Sequence, residues 1–245
     1  MKISFVLLTW NRYKFLEKCL EALIPAIAHP EHAEIIVMDN GSTDNTPNVL
    51  ARYASQKNLK VVTRKKNYGL NAYKKLFGMA KGEYVVIVDD DVLSFPKGLD
   101  DIFVDYMNAF PDYGFIALNV IQDKFTKGAK PPQENYTDDV RGDKIIEKGP
   151  TGGWCACFRK KQYNKVRLRF IFTNLDMKQS EDGLLSHLML RRLKLKSGLI
   201  KNELCLHACG PHYAKVYGHM ERELEKYEKS GLQHIVEEYK NYTEE

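Results

Sequence analysis

The segment VVIVDDDVLSFP, residues 85–96, joins an apolar run to three consecutive aspartates and ends at a proline. Adjacent carboxylates repel one another, and removing each from water costs several kcal/mol unless a proton or a cation compensates its charge. The aspartates are therefore either a solvated strand end or a place where a positive group binds. On an extended strand the side chains of Asp89 and Asp91 point to one side and that of Asp90 to the other, so the first two can share a ligand.

The chain around this segment alternates between strand and helix patterns. Apolar runs typical of strands cover residues 3–10, 33–39, 59–65 and 83–91. Helix-spaced apolar residues lie between these runs, and another helix begins at Pro96. Such alternation predicts βαβ units and a parallel sheet that is covered on both faces. We therefore predict an α/β, Rossmann-like single domain with a mostly parallel central sheet flanked by helices.

The second half of the chain is less regular. Its patterns predict strands over 114–121, 152–160 and 202–210, a helix over 180–193 and a helical tail from about residue 214. Residues 122–150 are rich in proline, glycine and charge, and this composition predicts a mobile loop.

Polar residues follow each of the first four strands, and in a parallel sheet such strand ends form the edge where ligands bind. Oxygen ligands such as Asp89 and Asp91 suit a hard cation, Mg²⁺ or Mn²⁺, which also binds substrate phosphates. Asp39 can accept hydrogen bonds from a ribose or a base edge, although Asn40-Gly41 equally supports a simple turn. The first strand lacks a following G-x-G-x-x-G, which argues against a dinucleotide cofactor.

Composition narrows the class of protein. The chain has 245 residues, a net charge of +5 and five cysteines, an odd count that favours a reducing compartment over a disulfide scaffold. The apolar N-terminus is too short for a signal peptide, and no run approaches the roughly 20 apolar residues of a transmembrane helix. We therefore expect a cytoplasmic protein without a transmembrane segment.

Two basic segments, 158–169 and 191–196, concentrate positive charge in the second half. A solvated face is the more common reason for such runs. The alternative is a surface that meets phosphates, through peripheral contact with an anionic membrane or with nucleic acid.

Four segments of the first half, taken together, resemble the family 2 glycosyltransferases with the GT-A fold. These segments are TWNRYKFLEKCLEAL, IIVMDNGSTDNT, KNYGLNA and AKGEYVVIVDDDV, in the order and spacing of that family. The resemblance implies a nucleotide-diphospho-sugar donor, most simply a UDP-sugar, and Mn²⁺ or Mg²⁺ as cofactor. Residues that it places at the nucleotide are Thr9, Asn11, Arg12, Asp39, Asn67, Gly69 and Asp90. It assigns Asp89 and Asp91 to the metal, and Asp90 is expected to tolerate substitution best of the three aspartates.

In the second half the resemblance implies an acceptor site and a catalytic base. Glu181 and Asp182 match an acidic pair of the family, and Asp182 is assigned as the base that takes a proton from the acceptor hydroxyl. Without the family, two acids at a helix start after Ser180 are simply favourable there. Gly153 and Trp154 are placed beside the acceptor, where Trp154 could stack on a sugar face, although a tryptophan of the core is an equal alternative.

The resemblance also suggests a histidine as third metal ligand. His207 is the first choice and His212 the second, while a structural role for either residue is the simpler alternative.

Together these features predict a metal-dependent, inverting glycosyltransferase that acts on an unidentified hydroxyl acceptor in a glycan, a lipid-linked molecule or a protein. The predicted domain covers residues 1–213, with a nucleotide-sugar half (1–100) and an acceptor half (101–213), and a helical tail follows over 214–245. Alternatives are a nucleic-acid-modifying glycosyltransferase, a non-catalytic nucleotide-sugar-binding protein and a sugar-phosphate nucleotidyltransferase. The last would require a glycine-rich loop with arginine after the first strand, where this chain has Thr-Trp-Asn-Arg-Tyr-Lys.

Overall fold

The computed structural model describes residues 1–126 and 130–243. Its strands are β1 (Ile3–Thr9), β2 (Ala33–Asp39), β3 (Leu59–Thr63), β4 (Tyr84–Asp89), β5 (Val92–Ser94), β6 (Tyr113–Val120), β7 (Thr137–Arg141), β8 (Lys144–Lys148), β9 (Cys155–Arg159) and β10 (Lys196–His207). Its helices are α1 (Tyr13–Ala26), α2 (Thr46–Ala51), α3 (Ala72–Met79), α4 (Leu99–Ala109), α5 (Lys160–Phe172), α6 (Glu181–Leu193), α7 (Pro211–Val216), α8 (Met220–Lys229) and α9 (Gln233–Lys240). None of these helices is long and apolar enough to cross a membrane.

One sheet organises the molecule, in the order β3-β2-β1-β4-β9-β6-β10-β8-β7, with β5 paired to β10 beside this path. The strands β1 to β4 pair in parallel, as do β6 and β10. β9 runs antiparallel between β4 and β6. The predicted α/β architecture is therefore present, and the four parallel strands β1 to β4 all lie within residues 1–100.

The strand register brings the polar strand ends together at one edge. Thr9 at the end of β1 is paired with Asp39 at the end of β2, and Leu8 is paired with Asp89 at the end of β4. Apart from the partly buried Leu8, the apolar residues of β1 and β4 are buried, because helices cover both faces of a parallel sheet. The antiparallel β9 begins at the same edge, where the backbone N–H of Asp89 donates to the carbonyl of Trp154 at 2.8 Å. Packing of the strands thus assembles residues from distant parts of the chain into one site.

The prediction of a loop over residues 122–150 is wrong in part. β7 and β8 form an antiparallel hairpin there, turned at Gly142 with a positive φ of 62°, and β8 pairs with β10. The charged residues of this segment made a buried strand difficult to predict from the sequence. Glu147 of β8 is nevertheless buried, because Lys130 Nζ donates a hydrogen bond to its carboxylate at 2.6 Å. Residues 127–129 of this predicted loop lie outside the described residues.

The other boundaries shift for similar reasons. β10 begins at Lys196, earlier than the predicted 202, because β6 and β8 pair with it from both sides. The basic segment 158–169 contains most of α5, whose buried residues Tyr163, Val166 and Phe170 are separated by basic residues that weaken the apolar pattern.

The predicted helical tail is present as α8 and α9, preceded by α7, and it packs on the domain. Phe15 of α1 stacks on Tyr217 with ring centroids 4.3 Å apart, and on His219 at 5.2 Å. Residues 244–245 of the tail lie outside the described part of the chain. The tail is thus held against α1 by aromatic contacts. Its sequence, which is rich in Lys and Glu, does not predict these contacts.

Burial of His219 makes the stability of this packing depend on pH. Burial, together with the charges of Arg12 and Arg222, lowers the pKa of His219 to about 4. The unfolded chain therefore binds a proton near pH 6.5 that the folded protein does not bind. We expect the free energy of unfolding to fall by about 2 kcal/mol between pH 7.5 and pH 5 because of this residue.

The measurement is chemical denaturation of the parent and of His219→Phe at both pH values. The phenylalanine keeps the stacking on Phe15 but does not titrate, so its loss of stability at pH 5 should be smaller by that amount. His29→Gln, at an exposed histidine, is the matched control and should behave like the parent. Equal pH dependence in all three proteins would show that His219 is not held neutral.

Candidate active site

A cavity of about 680 Å³ opens at the carboxyl edge of the parallel strands. This volume is within the usual range for a small-molecule site. The predicted site residues that line it are Thr9, Arg12, Asn67, Gly69, Asp89, Asp90, Asp91, Gly153, Glu181, Asp182 and His207. Three predicted residues, Asn11, Asp39 and Trp154, are not part of its lining. The structure thus brings most of the predicted residues into one cavity, from both halves of the chain.

A group of possible metal ligands lies in this cavity. Asp89, Asp91 and His207 each offer one atom within 4.8 Å of the others. His207 reaches the aspartates because it ends β10, where it pairs with Val92 of β5. Its Nε2 lies 3.2 Å from Asp91 Oδ1 and 3.8 Å from Asp89 Oδ2.

The donor set fits a divalent cation. Asp91 Oδ1 is buried, and among the described residues it has no aligned hydrogen-bond donor despite its short distance to His207. Buried polar atoms are normally satisfied, and this oxygen has only the poorly aligned imidazole of His207 beside it, so a cation between the two carboxylates and the imidazole would complete its contacts. Two carboxylates and one imidazole are ligands that Mn²⁺ and Mg²⁺ sites accept, with water and phosphate completing the shell.

Electrostatics in the cluster point the same way. Burial and the neighbouring Asp91 raise the pKa of Asp89 to about 7. Burial also acts to raise the pKa of Asp91, but Arg12 and His207 outweigh it and leave this pKa well below the usual value. Burial acts to lower the pKa of His207, and Asp91 reverses this, so the imidazole holds its proton. The cluster therefore carries an excess of buried acid that protons offset, and a cation can take their place.

Arg12 lines the cavity, as predicted, and its side chain is paired there with two of the aspartates. Its guanidinium donates to Asp90 Oδ1 at 2.8 Å and to Asp91 Oδ2 at 2.6 Å, and it lies over the Phe15 ring at 4.6 Å. Thr9 Oγ1 donates to the other oxygen of Asp90 at 2.7 Å. These side chains are thus engaged with one another, and their direct nucleotide contacts remain unproved predictions.

The environment of Asp90 argues against the expectation that this residue tolerates substitution best of the three aspartates. It is only 3% exposed, and both of its oxygens accept hydrogen bonds, from Thr9 and from Arg12. The alternation of side chains along the strand correctly separates Asp90 from the Asp89–Asp91–His207 cluster. Its partners, however, lie 78 and 81 residues away along the chain, so sequence reasoning could not identify them.

Asn67 and Gly69 line the cavity, and Asn40 holds them in place. Asn40 Nδ2 donates to Asn67 Oδ1 at 2.8 Å and to the Gly69 carbonyl at 3.2 Å, and its Oδ1 accepts from the Tyr68 amide. Asn40 itself lines the cavity and was not predicted. Its position directly after Asp39, at a strand end, is the signal that would have identified it.

Asn11 and Asp39 shape the loop that follows β2 and do not face the cavity. Asp39 Oδ1 accepts from the Ser42 amide at 2.9 Å, which is the turn that the sequence left open as an alternative. Asn11, with a positive φ of 53°, accepts from the Thr43 amide at 2.8 Å. Gly41 is required in this loop, because an added Cβ would lie 2.6 Å from the backbone of Lys66.

The predicted acidic pair begins α6 at the cavity wall. Ser180 is the N-cap as expected, with its hydroxyl accepting from the Gly183 amide, and Asp182 Oδ1 accepts from the same amide at 2.7 Å. Gly153 lies against Asp182, since an added Cβ there would be 3.3 Å from Asp182 Oδ2. The glycine therefore leaves room for this carboxylate.

Glu181 differs from its neighbour in environment. It is buried, its Oε2 has no hydrogen-bond partner among the described residues, and burial raises its pKa well above the ordinary value. A carboxyl that keeps its proton is a poor acceptor of another, so Asp182, which is only partly buried, is the better candidate base of the two.

Trp154 and His212 have structural positions. Trp154 is 5% exposed, donates from Nε1 to the Leu118 carbonyl at 2.9 Å and stacks on the ring of His207 at 5.9 Å. This burial favours the core alternative for Trp154 over a face open to a sugar. His212 stacks on Phe125 at 3.9 Å and its Nδ1 lies 2.9 Å from Tyr242 Oη, and it does not belong to the group of Asp89, Asp91 and His207.

The tail contributes a wall that sequence reasoning missed. Arg222 of α8 donates to the Trp10 carbonyl at 2.9 Å and lies over the Trp10 ring. Glu223 is buried and lies 3.9 Å from Arg12, which links α8 to the aspartates through one guanidinium. Lys226 and Lys229 also line the cavity. No pattern in the tail distinguished these residues from ordinary solvated charges.

Comparison with known proteins identifies the family of the chain. The family model for glycosyl transferase family 2 matches residues 4–173, and the chain belongs to this family. Glycosyltransferase GlyG of Streptococcus pneumoniae is 37% identical over 91 residues, which cover 36% of this chain and 30% of the relative. The putative glycosyltransferase EpsH of Bacillus subtilis is 30% identical over 182 residues, covering 69% of this chain and 50% of the relative. The matches thus span half or less of the length of these relatives.

Solved structures share the fold. Residues 1–349 of TarS from S. aureus superpose with a TM-score of 0.64 at 20% identity, covering 98% of this chain and 71% of that one. The mannosyltransferase PcManGT from Pyrobaculum calidifontis, in complex with GDP-Man and Mn²⁺, gives 0.63 at 16% identity and covers 94% and 64%. At these identities the likeness establishes the GT-A type of α/β fold.

Proposed function

We propose that this member of glycosyl transferase family 2 is a metal-dependent, inverting glycosyltransferase that moves a sugar from a nucleotide-diphospho-sugar to a hydroxyl acceptor. The observation that carries the proposal is the placement of Asp89, Asp91 and His207 in the same cavity as Asp182. One group can hold a cation at a diphosphate, and the other can accept a proton from an attacking hydroxyl.

The donor side of the proposal rests on the strand-end half of the cavity. Asn67 and Gly69 line it beside the carboxyl ends of the parallel strands, where nucleotides bind in folds of this kind. Neighbouring structures hold UDP, UDP-GlcNAc and GDP-Man. We take a UDP-sugar as the first donor to test and GDP-mannose as the second.

Asp89, Asp91 and His207 would hold the Mn²⁺ or Mg²⁺, and when bound this ion neutralises charge on the departing diphosphate. Arg12 keeps the carboxylate of Asp91 in one orientation, so that Oδ1 remains directed toward His207. Trp154 packs on the imidazole from behind and limits its rotation. The ligand positions are therefore held before any ion arrives.

Asp182 would act on the acceptor. Its carboxylate takes the proton from the acceptor hydroxyl while that oxygen forms a bond to the anomeric carbon, and the bond from this carbon to the diphosphate oxygen breaks. The nucleoside diphosphate leaves, and Asp182 later releases its proton to water. Attack from the face opposite the leaving group inverts the configuration in one displacement.

In this scheme each predicted part of the chain would have a separate role in the reaction. Residues 1–100 would provide the donor half, 101–213 the acceptor half with the base, and the tail over 214–245 one wall of the cavity.

A thermal-shift screen of UDP-sugars and GDP-mannose, with and without Mn²⁺, tests the proposal. A ligand at about 100 times its Kd adds about 2.7 kcal/mol, which for a chain of this length raises Tm by roughly 5–10 °C. We expect the largest shift when nucleotide sugar and Mn²⁺ are present together.

Asp91→Asn should abolish the Mn²⁺-dependent part of the shift, because the amide still accepts from Arg12 but no longer provides a charged ligand. Asp101→Asn removes one exposed carboxylate and is the matched control. If no nucleotide sugar raises Tm, or if the shift is the same in excess chelator, the metal-dependent function is wrong.

A further inference from the structure

The outward face of α5 carries apolar and basic side chains without acidic partners. The buried residues Tyr163, Val166 and Phe170 mark the side of the helix that faces the core. Residues on the opposite side, at the spacing of successive turns, are Lys161, Lys165, Leu168 and Phe172. Leu168 is 69% exposed and Phe172 is 84% exposed, which is unusual for large apolar side chains. We call these four residues the α5 face.

The stretches of sequence that form α5 and most of α6 carry charge of one sign. No acidic residue occurs between Glu147 and Asp176, nor between Asp182 and Glu203. In the described part of the chain no carboxylate pairs with Lys161, Lys165 or Arg169. The neighbouring helix α6 adds exposed Leu190 beside Arg191. Some basic residues elsewhere on the surface are paired with carboxylates, as Lys196 is with Asp112 and Lys201 with Asp138.

We propose that the α5 face binds the surface of an anionic lipid bilayer, with Leu168 and Phe172 inserted among the lipids and the basic side chains against their phosphates. Helices that lie in a membrane interface combine an apolar stripe with flanking Lys and Arg, and they are attracted electrostatically to anionic lipids. The unpaired basic side chains match the lipid phosphates, and the exposed phenylalanine and leucine match the acyl chains.

Two other occupants fit less well. A nucleic acid backbone would use the cations but leaves no reason for Leu168 and Phe172 to face outward. A second copy of the chain would place the same unpaired positive charges opposite themselves across a twofold interface, where they repel. The bilayer is the partner that matches both the apolar and the charged component.

The C-terminal end of α5 leads into a segment that lines the cavity. Thr173 follows the helix, and Leu175, which lines the cavity, is held there by hydrogen bonds with the side chain of Asn71. A bilayer against α5 would therefore lie beside the cavity wall that Leu175 forms. This inference does not depend on the proposed transfer reaction, and it is tested without an activity assay.

The test is flotation of the purified chain with vesicles of phosphatidylcholine, with and without phosphatidylglycerol. We expect binding only when phosphatidylglycerol is present, and less binding at high salt. Leu168→Ser with Phe172→Ser should weaken vesicle affinity by roughly tenfold or more because the inserted apolar area is lost. Lys161→Glu with Lys165→Glu should weaken it by a similar factor through charge.

Matched controls distinguish the α5 face from the surface in general. Val140→Ser with Val216→Ser removes two other exposed apolar side chains, and Lys57→Glu with Lys60→Glu reverses two other exposed lysines. Both controls should bind vesicles like the parent, and all variants should keep the Tm of the parent because the substituted side chains are exposed.

Several results would overturn the proposal. One is that the parent does not float with phosphatidylglycerol vesicles, and another is that the α5 variants float as well as the controls. If the chain binds duplex DNA more tightly than vesicles, and if Leu168→Ser with Phe172→Ser does not change that affinity, the surface would be assigned to nucleic acid. A dimer in light scattering that this same variant dissociates would assign it to a second copy of the chain.

Discussion

Replacing Asp182 with asparagine is expected to lower the rate of sugar transfer by about 10²–10⁴-fold, the range that a positioned general base contributes. The amide keeps the size of the side chain and can still accept the hydrogen bond from the Gly183 amide. It cannot take a proton from an acceptor hydroxyl. Binding of the nucleotide sugar with Mn²⁺ should therefore be unchanged, and only the transfer step should be lost.

The measurement pairs donor binding by thermal shift with transfer to a test acceptor or, without one, with slow hydrolysis of the donor. Glu181→Gln is the matched comparison, because it makes the same change at the adjacent buried carboxyl. We expect Glu181→Gln to retain much more transfer than Asp182→Asn, since the buried Glu181 carboxyl keeps its proton. The reverse order would make Glu181 the base, and full turnover in both variants would place the base elsewhere.

Replacing Arg12 with methionine is expected to destabilise the fold by about 3–5 kcal/mol, because removing one partner of a buried ion pair leaves the other charge uncompensated. Arg12 donates to Asp90 and Asp91 at 2.8 and 2.6 Å, and these carboxylates are buried. Glu223 on α8 is a third acidic neighbour at 3.9 Å. Methionine preserves most of the apolar contact with Phe15, so the measured loss reports chiefly on charge.

Urea denaturation of the parent and of Arg12→Met measures this effect, with Arg52→Met as the control. Arg52 pairs with Glu17 on the exposed surface, and its removal should change stability little. If Arg12 were only a nucleotide ligand, Arg12→Met would lower nucleotide affinity and leave the unliganded protein as stable as the parent. That outcome would contradict the neutralising role that we assign to this residue.

The sequence predicted the first half of the fold well because its signals are local. Strands such as 84–89 are short apolar runs bounded by polar residues, and the helices between them repeat apolar residues at a spacing of one face. Alternation of these two patterns is sufficient to predict a parallel sheet and a binding edge at its strand ends. Asp89 and Asp91 were separated from Asp90 by the same local rule.

Prediction was weaker wherever a residue's role depends on a distant partner. Trp154 reads equally well as a sugar platform or as a core residue, and only the packing of β9 against β4 and β6 buries it. The β7–β8 hairpin was concealed because charged Glu147 is acceptable inside the protein once Lys130 lies beside it. The docking of α8 rests on stacking between Phe15 and Tyr217, which are 202 positions apart in the sequence.

By itself, then, the sequence determined the alternation of strands and helices in the first half, the family resemblance and the strand edge that holds the candidate site, since each follows from residues that are close along the chain. Tertiary structure alone decided that His207 meets Asp89 and Asp91, that Arg12 is paired with the aspartates, and that the tail closes the cavity. The physical reason is that ion pairs, burial and ligand groups depend on distances between atoms that strand register and helix packing establish. Sequence patterns carry no such distances.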